Sequence, residues 1–231
     1  MRVTAVMPTR ASRQPFWVSA IRCFLNQTYQ DSELLILNES DEPMPLPVYG
    51  RPDRIRYVRI PNINMPTGAK RNLINSMVTS ELIVHFDDDD WYHPARIATQ
   101  VGFLDDTRQQ VVGWHDLLYY RTTDRSLWCY YYQGARPYAT GVSLMYRRSW
   151  WEKHPFPNDR KVAEDTAFWL TASGAGVMAS TGKELGFGNI RFIVARAHDG
   201  NTFSVPFNAG QPWVPATREM FPAEFLAEEG L

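Results

Sequence analysis

Leu82-Ile83-Val84-His85-Phe86-Asp87-Asp88-Asp89-Asp90 is the stretch from which the rest of the chain can be read. A short run of apolar and β-branched residues reads as a buried strand, and the carboxyl end of such a strand is where open α/β sheets form their ligand crevices. The four acids therefore face a cleft. Adjacent carboxylates repel by roughly 1 kcal/mol per pair at 4 Å in water and by about 4 kcal/mol at an effective dielectric near 20, so a cluster this dense calls for a bound cation. Oxygen ligands on a tight loop suit Mg2+ or Mn2+ better than zinc, and an ion with few protein ligands shares its coordination with substrate phosphates. The competing reading is a solvated acidic turn, or an N-cap cluster for a helix beginning near Pro94.

Upstream of this stretch, strand and helix signals alternate. Val3 to Met7 reads as a strand, and Phe16 to Leu25 as a helix with Phe16, Ile21, Phe24 and Leu25 near one face. Leu34-Leu35-Ile36-Leu37 is a second buried strand, closed by Asn38-Glu39-Ser40-Asp41; Ile55 to Ile60 alternates as a third, and Ala69 to Met77 is helical. Strands separated by helices imply a parallel sheet with right-handed crossovers. Beyond about residue 105 the elements shorten: Val111 to Trp114, Leu117 to Tyr120, Leu127 to Tyr132 and Gly141 to Tyr146 read as strands, Thr166 to Ala172 as a helix, and Ile190 to Val194 as a late strand. The stretch from Pro206 to Pro215, rich in Pro and Gly, reads as an arm or lid. One continuous mixed sheet over residues 1–204 is expected, with a nucleotide-binding half at 1–105, an acceptor-facing half at 106–204, and a tail at 205–231.

The 231 residues are enough for a substantial core without staples. A net charge of -1 gives no global attraction to nucleic acid or anionic membrane. Local basic groups remain at Arg51, Arg54, Arg56 and Arg59 and at Arg147, Arg148 and Lys153, where a solvated strand edge is the simplest explanation. Cys23 and Cys129 form neither a CxxC pair nor a zinc spacing, so both read as packed thiols in a reducing compartment. No apolar stretch reaches bilayer length and Pro8 breaks the short apolar N-terminus, from which a soluble, cytoplasmic protein is expected. Aromatic residues concentrate between Trp114 and Tyr138 and at Trp150-Trp151, where they suit stacking on a sugar or base as well as core packing.

Several separated segments then fit one pattern. They are Val3-Thr4-Ala5-Val6-Met7-Pro8-Thr9-Arg10, Leu25-Asn26-Gln27-Thr28-Tyr29, Gly68-Ala69-Lys70-Arg71-Asn72, Phe86 to Asp90, a strand from Gly141 to Arg148, Glu164-Asp165, and Arg196-Ala197-His198-Asp199-Gly200-Asn201-Thr202. In this order the chain resembles the family 2 type of inverting glycosyltransferases with the GT-A fold, an α/β, Rossmann-like mixed central sheet flanked by helices. The resemblance implies a nucleoside diphosphate sugar as donor, a hydroxyl acceptor and a divalent cofactor, Mn2+ or Mg2+. It maps the DxD element onto Asp87-Asp88-Asp89, with Asp87 on the nucleoside side and Asp89 as the chief metal ligand. Asp88 is placed with the nucleotide sugar, although Asp88 and Asp90 could equally support a ligand or touch the acceptor.

Glu164-Asp165 resembles the family's acidic pair near the acceptor. Displacement at an anomeric carbon needs a base within hydrogen-bond reach of the attacking hydroxyl, and Asp165 is the choice, with Glu164 as an alternative base or orienting group. Both acids would also suit a helix N-terminus. His198 follows a late strand where related enzymes place a histidine on the metal or diphosphate. Where the family commonly carries paired aspartates after the second strand, this chain has Glu39, which becomes the base-recognition candidate and leaves uracil specificity open. Thr9 and Arg10 would meet base or phosphate, and Lys70 and Arg71 the diphosphate. The chain lacks a QxxRW-like element, which the resemblance ties to processive synthases, so transfer of single sugars is implied. A cell-surface glycan precursor is the expected acceptor; a hydroxymethylated base in DNA is the alternative that the arginines and aromatics permit. A nucleotidyltransferase and a non-catalytic sugar-nucleotide-binding module would use the same acids, and product analysis or the absence of turnover separates them.

Overall fold

β1 (Val3–Thr9) and β2 (Ser32–Glu39) are the hydrogen-bonded centre of the N-terminal parallel strands, and their composition explains why: all eight residues of β2 and six of seven in β1 are buried. The computed structural model describes residues 1–43, 52–181, 190–201, 205, 207, 210 and 212–231. β3 (Ile55–Ile60), β2, β1 and β4 (Leu82–His85) run parallel, as expected of strands joined by helical crossovers. On the other side of β4 the direction reverses: β9 (Met145–Arg147) is antiparallel to both β4 and β6 (Val111–Trp114), and β10 (Met178–Thr181) closes the seven-stranded order β10-β6-β9-β4-β1-β2-β3.

The single continuous sheet expected from the sequence is instead two. β12 (Trp213–Pro215), β8 (Ser126–Tyr130), β7 (Leu117–Arg121), β11 (Ile193–Ala197) and β5 (Trp91–Tyr92) form a second, five-stranded sheet in that order. The halves at 1–105 and 106–204 also interlock, because β5 belongs to the second sheet while β6, β9 and β10 extend the first. The strand expected from Gly141 begins only at Met145. Gly141–Ser143 is a 3-10 turn, because the Ser143 hydroxyl accepts the Trp114 N–H at 2.9 Å and so takes a backbone group that a strand partner would use. Ile190–Phe192 is likewise a 3-10 turn preceding β11.

Helices α1 (Gln14–Leu25), α2 (Thr67–Ser76), α3 (Arg96–Thr107) and α5 (Glu164–Gly174) connect these strands; α4 (Arg148–Trp151) is a single turn. α1 buries Trp17, Ala20, Ile21, Cys23 and Phe24, whereas Phe16, expected on that face, is half-buried and stacks on His198 with ring centroids 4.3 Å apart. The described part of the tail is not a free arm. β12 pairs with β8, and α6 (Ala223–Glu228) sets Phe225 fully buried against Trp91 and Tyr120, so apolar demand holds the C-terminus onto the second sheet. Several of the residues between Pro206 and Gln211 lie outside the described set, as do Arg51 and Thr202. Arg54 is buried, not solvated: its guanidinium lies 4.8 Å from the Phe24 ring centre and donates to Ser32 O. Among the described residues, no helix is long and apolar enough to cross a membrane.

Candidate active site

The pairing of β1 with β4 fixes the first geometry. Val6 lies opposite His85, so the register carries Thr9 to the level of Asp88, and the Thr9 hydroxyl donates to Asp88 Oδ2. Trp17 Nε1 donates to the same hydroxyl at 2.5 Å, which orients Thr9 toward the acid. Asp89 comes next and is the most heavily partnered of the four acids. Its Oδ2 accepts from the Arg13 guanidinium, from Asn201 Nδ2 at 3.2 Å, and faces His198 Nε2 at 3.2 Å. Asp90 lines the same cavity and accepts the Arg196 N–H at 2.9 Å, tying the acidic loop to β11.

These partners sort the acids by charge. Burial followed by the neighbouring Asp89 pushes Asp88 up to about 8, and burial with Asp89 and Asp87 pushes Asp90 well above the carboxylate range. Burial also acts on Asp89, but His198 and Arg13 outweigh it and hold Asp89 below its ordinary value. Burial would depress the Arg13 guanidinium; Asp89 and Asp88 more than offset this. Of Asp88, Asp89 and Asp90, Asp89 is thus the one held as the anion, with its partners gathered on one oxygen.

A second set of acids faces the same cavity. Arg71, buried in α2, donates through Nε to Glu164 Oε1 at 3.0 Å and through Nη1 to Asp87 Oδ1 at 3.5 Å. One guanidinium therefore spaces the first turn of α5 from the tip of β4. Burial raises the Glu164 carboxyl above its ordinary value, against the pull of Arg71. Asp165, the next residue, accepts the Thr166 N–H at 2.7 Å and lies against Gly141, where any Cβ would collide with its Oδ2. Glycine at 141 is what lets the carboxylate sit on the turn.

The cavity between these groups has a volume of about 550 Å3. It reaches Arg10, exposed at the rim, and Thr9, Lys70, Arg71, Asp87, Asp88, Asp89, Glu164 and Asp165. Tyr119, Tyr130, Tyr138 and Trp213 form its aromatic wall. Glu39 does not line it. The Glu39 carboxylate is buried and taken by Lys70 Nζ at 2.5 Å and by the N–H groups of Ile63 and Met65 at 3.2 and 2.6 Å, which together outweigh burial and lower its pKa. Direct base recognition by Glu39 thus gives way to a role in holding Lys70 and the 61–66 loop.

Sequence reading passed over Arg13, Asn201 and Gly141. Arg13 lies three residues beyond Arg10 and just before α1, and nothing in its spacing separates a buried pairing from a solvated helix start. Gly141 carried one available signal, a glycine opening an expected strand.

A sequence profile for glycosyl transferase family 2 matches residues 4–156, about two thirds of the chain. The chain belongs to glycosyl transferase family 2. By sequence, no curated protein matches it. Solved structures share its fold at low identity. TarS 1-349 from S. aureus in complex with UDP-GlcNAc aligns with a TM-score of 0.67 at 14% identity over 87% of this chain and 60% of that one. The same protein in complex with UDP gives 0.66 at 13% over 85% and 61%. The mannosyltransferase PcManGT from Pyrobaculum calidifontis in complex with GDP-Man and Mn2+ gives 0.57 at 15% over 90% and 58%. The chain thus spans about three fifths of the length of these neighbours. The α/β body is a GT-A fold, with its mixed central sheet flanked by helices.

The enzyme's acids meet the chemistry of a divalent ion unevenly. Among the described residues, no three His, Cys, Asp or Glu side chains converge on a metal-sized position, so the protein offers a partial ligand set. The ionised Asp89 suits Mg2+ or Mn2+. His198 is arranged differently: its Nδ1 accepts the Gly200 N–H at 3.0 Å, so the neutral ring carries its proton on Nε2 and donates to Asp89. It can offer Nε2 to an ion only by moving that proton to Nδ1 and releasing Gly200. Arg13 would likewise have to leave Asp89.

Proposed function

We propose that the enzyme is a metal-dependent, inverting glycosyltransferase that moves one sugar from a nucleoside diphosphate sugar to a hydroxyl acceptor. The observation that carries the reading is the Arg71 bridge, which sets the Glu164-Asp165 pair and the Asp87-to-Asp89 tip on one cavity at a fixed spacing. Asp89, joined by His198 after its change of tautomer, is the proposed ligand set for Mn2+ or Mg2+. When bound there, the ion would neutralise charge on the departing diphosphate. Arg13, released from Asp89, and Lys70, Arg71 and Arg10 are the cavity-lining cations that would meet the phosphates, while Asp87 and Thr9 would position the nucleoside side.

Asp165 accepts the proton of the acceptor hydroxyl as its oxygen bonds to the anomeric carbon; the electrons of the broken C–O bond depart with the nucleoside diphosphate. Attack from the face opposite the leaving group inverts the anomeric configuration. Glu164, already paired with Arg71, is better suited to orienting than to accepting this proton. The aromatic wall supports an acceptor with a flat or ring-shaped apolar face, and a cell-surface glycan precursor remains the favoured class.

A nucleotide-sugar screen with and without Mn2+ tests the proposal. One nucleotide sugar should raise Tm only with the ion present and be slowly hydrolysed to nucleoside diphosphate and sugar, with hydrolysis lost in Asp165→Asn. Full turnover in the presence of a chelator, or in Asp165→Asn, would overturn it.

A further inference from the structure

His85 ends β4 at zero exposure, in a strand whose other residues, Leu82, Ile83 and Val84, are apolar. It does not line the cavity. Its ring nevertheless belongs to a chain of hydrogen bonds that leads there. His85 Nδ1 lies 2.7 Å from Gly141 O, His85 Nε2 lies 3.2 Å from the Tyr146 hydroxyl, and Asn75 Nδ2 donates to that hydroxyl at 2.9 Å.

The direction of every bond in this chain follows from one fact. A carbonyl only accepts, so Nδ1 carries a proton. Burial, reinforced by Arg71, holds the imidazole far below its ordinary pKa, so the ring is neutral and Nε2 is bare. Nε2 must then accept the Tyr146 O–H, and the Tyr146 oxygen in turn accepts from Asn75. The donors run one way, from α2 through β9 and β4 to the Gly141 peptide. A buried imidazole left unpaired is costly, and an aliphatic residue would avoid that requirement. What histidine adds at this position is a donor aimed at Gly141 O.

Gly141 is held on its other side by the acid. Its carbonyl also accepts the Leu144 N–H at 3.3 Å, closing the turn, while the Asp165 carboxylate occupies the space a Cβ would need. We infer that His85 is a positioning residue for the Asp165 carboxylate, acting through the Gly141 peptide. The inference rests on Asp165 as the base proposed above. Without the His85 donor, the Gly141 carbonyl keeps only the longer bond from the Leu144 N–H at 3.3 Å, and the surface on which Asp165 rests can shift with it. A displacement of about 1 Å at a catalytic group is enough to cost about 100-fold in rate.

Four variants and one spectrum test this. Nitrogen-15 NMR of histidine-labelled protein should show His85 neutral with its proton on Nδ1. Hydrolysis of UDP-GlcNAc and GDP-Man is followed in parallel, with UDP and GDP affinities measured by calorimetry in Mn2+. His85→Leu should lower kcat by about 10- to 100-fold with KM and nucleotide affinity unchanged. His85→Asn places an amide N–H where Nδ1 stood and should recover most of the loss. Tyr146→Phe removes the hydroxyl from which Nε2 accepts but leaves Gly141 O to hold the proton on Nδ1, so it should keep the Nδ1–H tautomer and most of the wild-type kcat. A proton on Nε2 in the wild-type protein overturns the inference whatever the turnover. So does wild-type kcat in His85→Leu, a Tyr146→Phe that loses as much kcat as His85→Leu while keeping its proton on Nδ1, or a loss of nucleotide affinity in step with kcat, which marks a general structural role. Asp165→Asn separates the two levels: if it retains turnover, the assignment of the base fails, whereas if it is inactive while His85→Leu is normal, only the positioning role fails.

Discussion

Arg71→Met should destabilise the enzyme strongly at neutral pH and only weakly in mild acid. Methionine keeps the buried stem but removes the guanidinium that pairs with Glu164 at 3.0 Å and Asp87 at 3.5 Å. The Asp87 side chain is 25% exposed and can hydrate; the Glu164 side chain, 7% exposed, cannot. Stranding one member of a buried pair costs about 3–5 kcal/mol, but Glu164 can escape by taking up a proton. Staying protonated at pH 7 costs roughly 3.5 kcal/mol, at about 1.4 kcal/mol for each pH unit above the ordinary 4.5, and this sets the ceiling on the Glu164 contribution. The sign follows from linkage. Losing Arg71 raises the folded-state pKa of Glu164 further, so its favourable contribution is complete below 4.5 and is lost as pH rises toward that folded value. The deficit of Arg71→Met should therefore grow from near zero at about pH 4.5 to at most about 3.5 kcal/mol at pH 7, or about 7–14 °C in Tm for a chain of this size. Glu164→Gln added to Arg71→Met should remove most of the pH-dependent part. Denaturant titrations of the wild type and both variants between about pH 5 and 8 measure this. A deficit independent of pH, or a double variant no more stable than Arg71→Met at pH 7, would refute the reasoning.

Three shorter expectations follow from other parts of the site and fold. Asp88, raised to about 8 by burial and Asp89, contributes stability that is complete below 3.8 and is lost as pH rises through about 8. Without divalent ions, Asp88→Asn should accordingly gain in Tm over the wild type as pH rises across that window, and parallel curves would exclude it. Arg13→Met should raise nucleotide-free Mn2+ affinity by about tenfold or more in calorimetry, because it removes a cation from Asp89, and should weaken UDP and GDP binding. An unchanged or lower Mn2+ affinity would show that Arg13 does not compete for the site. Phe225→Ala should lower stability by about 3–5 kcal/mol, since its fully buried ring packs on Trp91, Tyr120 and Phe221; a free arm would leave Tm unchanged.

What the sequence disclosed is what local chemistry encodes. The strand before Asp87 and the opening strand–helix alternation were readable because burial on both faces leaves an unbroken apolar run. Grouping the acids on one cavity was likewise available from strand ends and helix starts. The roles of Glu39 and Arg54 were not, because a carboxylate after a strand looks the same whether it faces a ligand or holds Ile63, Met65 and Lys70 more than twenty residues away. Arg54 among neighbouring arginines looks solvated until Phe24 and Ser32 are brought beside it. The division into two sheets was hidden for a similar reason: two residues, Trp91 and Tyr92, suffice for β5, too short for a periodicity, and their partner Ile193 lies about a hundred residues on.

The site occupies its position because strand direction changes there. β4 runs parallel to β1 but antiparallel to β9, so the carboxyl end of β4 meets the carboxyl end of β1 on one flank and the amino end of β9 on the other. The first flank supplies Thr9 and, one turn on, Arg13, which meet Asp88 and Asp89. The second supplies the Gly141–Ser143 turn, which carries no side chain at its first position and so admits Asp165 from α5. A fully parallel sheet would put a second strand end beside the acids and leave no returning chain under the acidic pair. The reversal thus brings the surface proposed to face the diphosphate and the surface proposed to bear the base to opposite sides of one strand tip. His85, the last residue before that tip, is bonded to the turn on which the second surface rests.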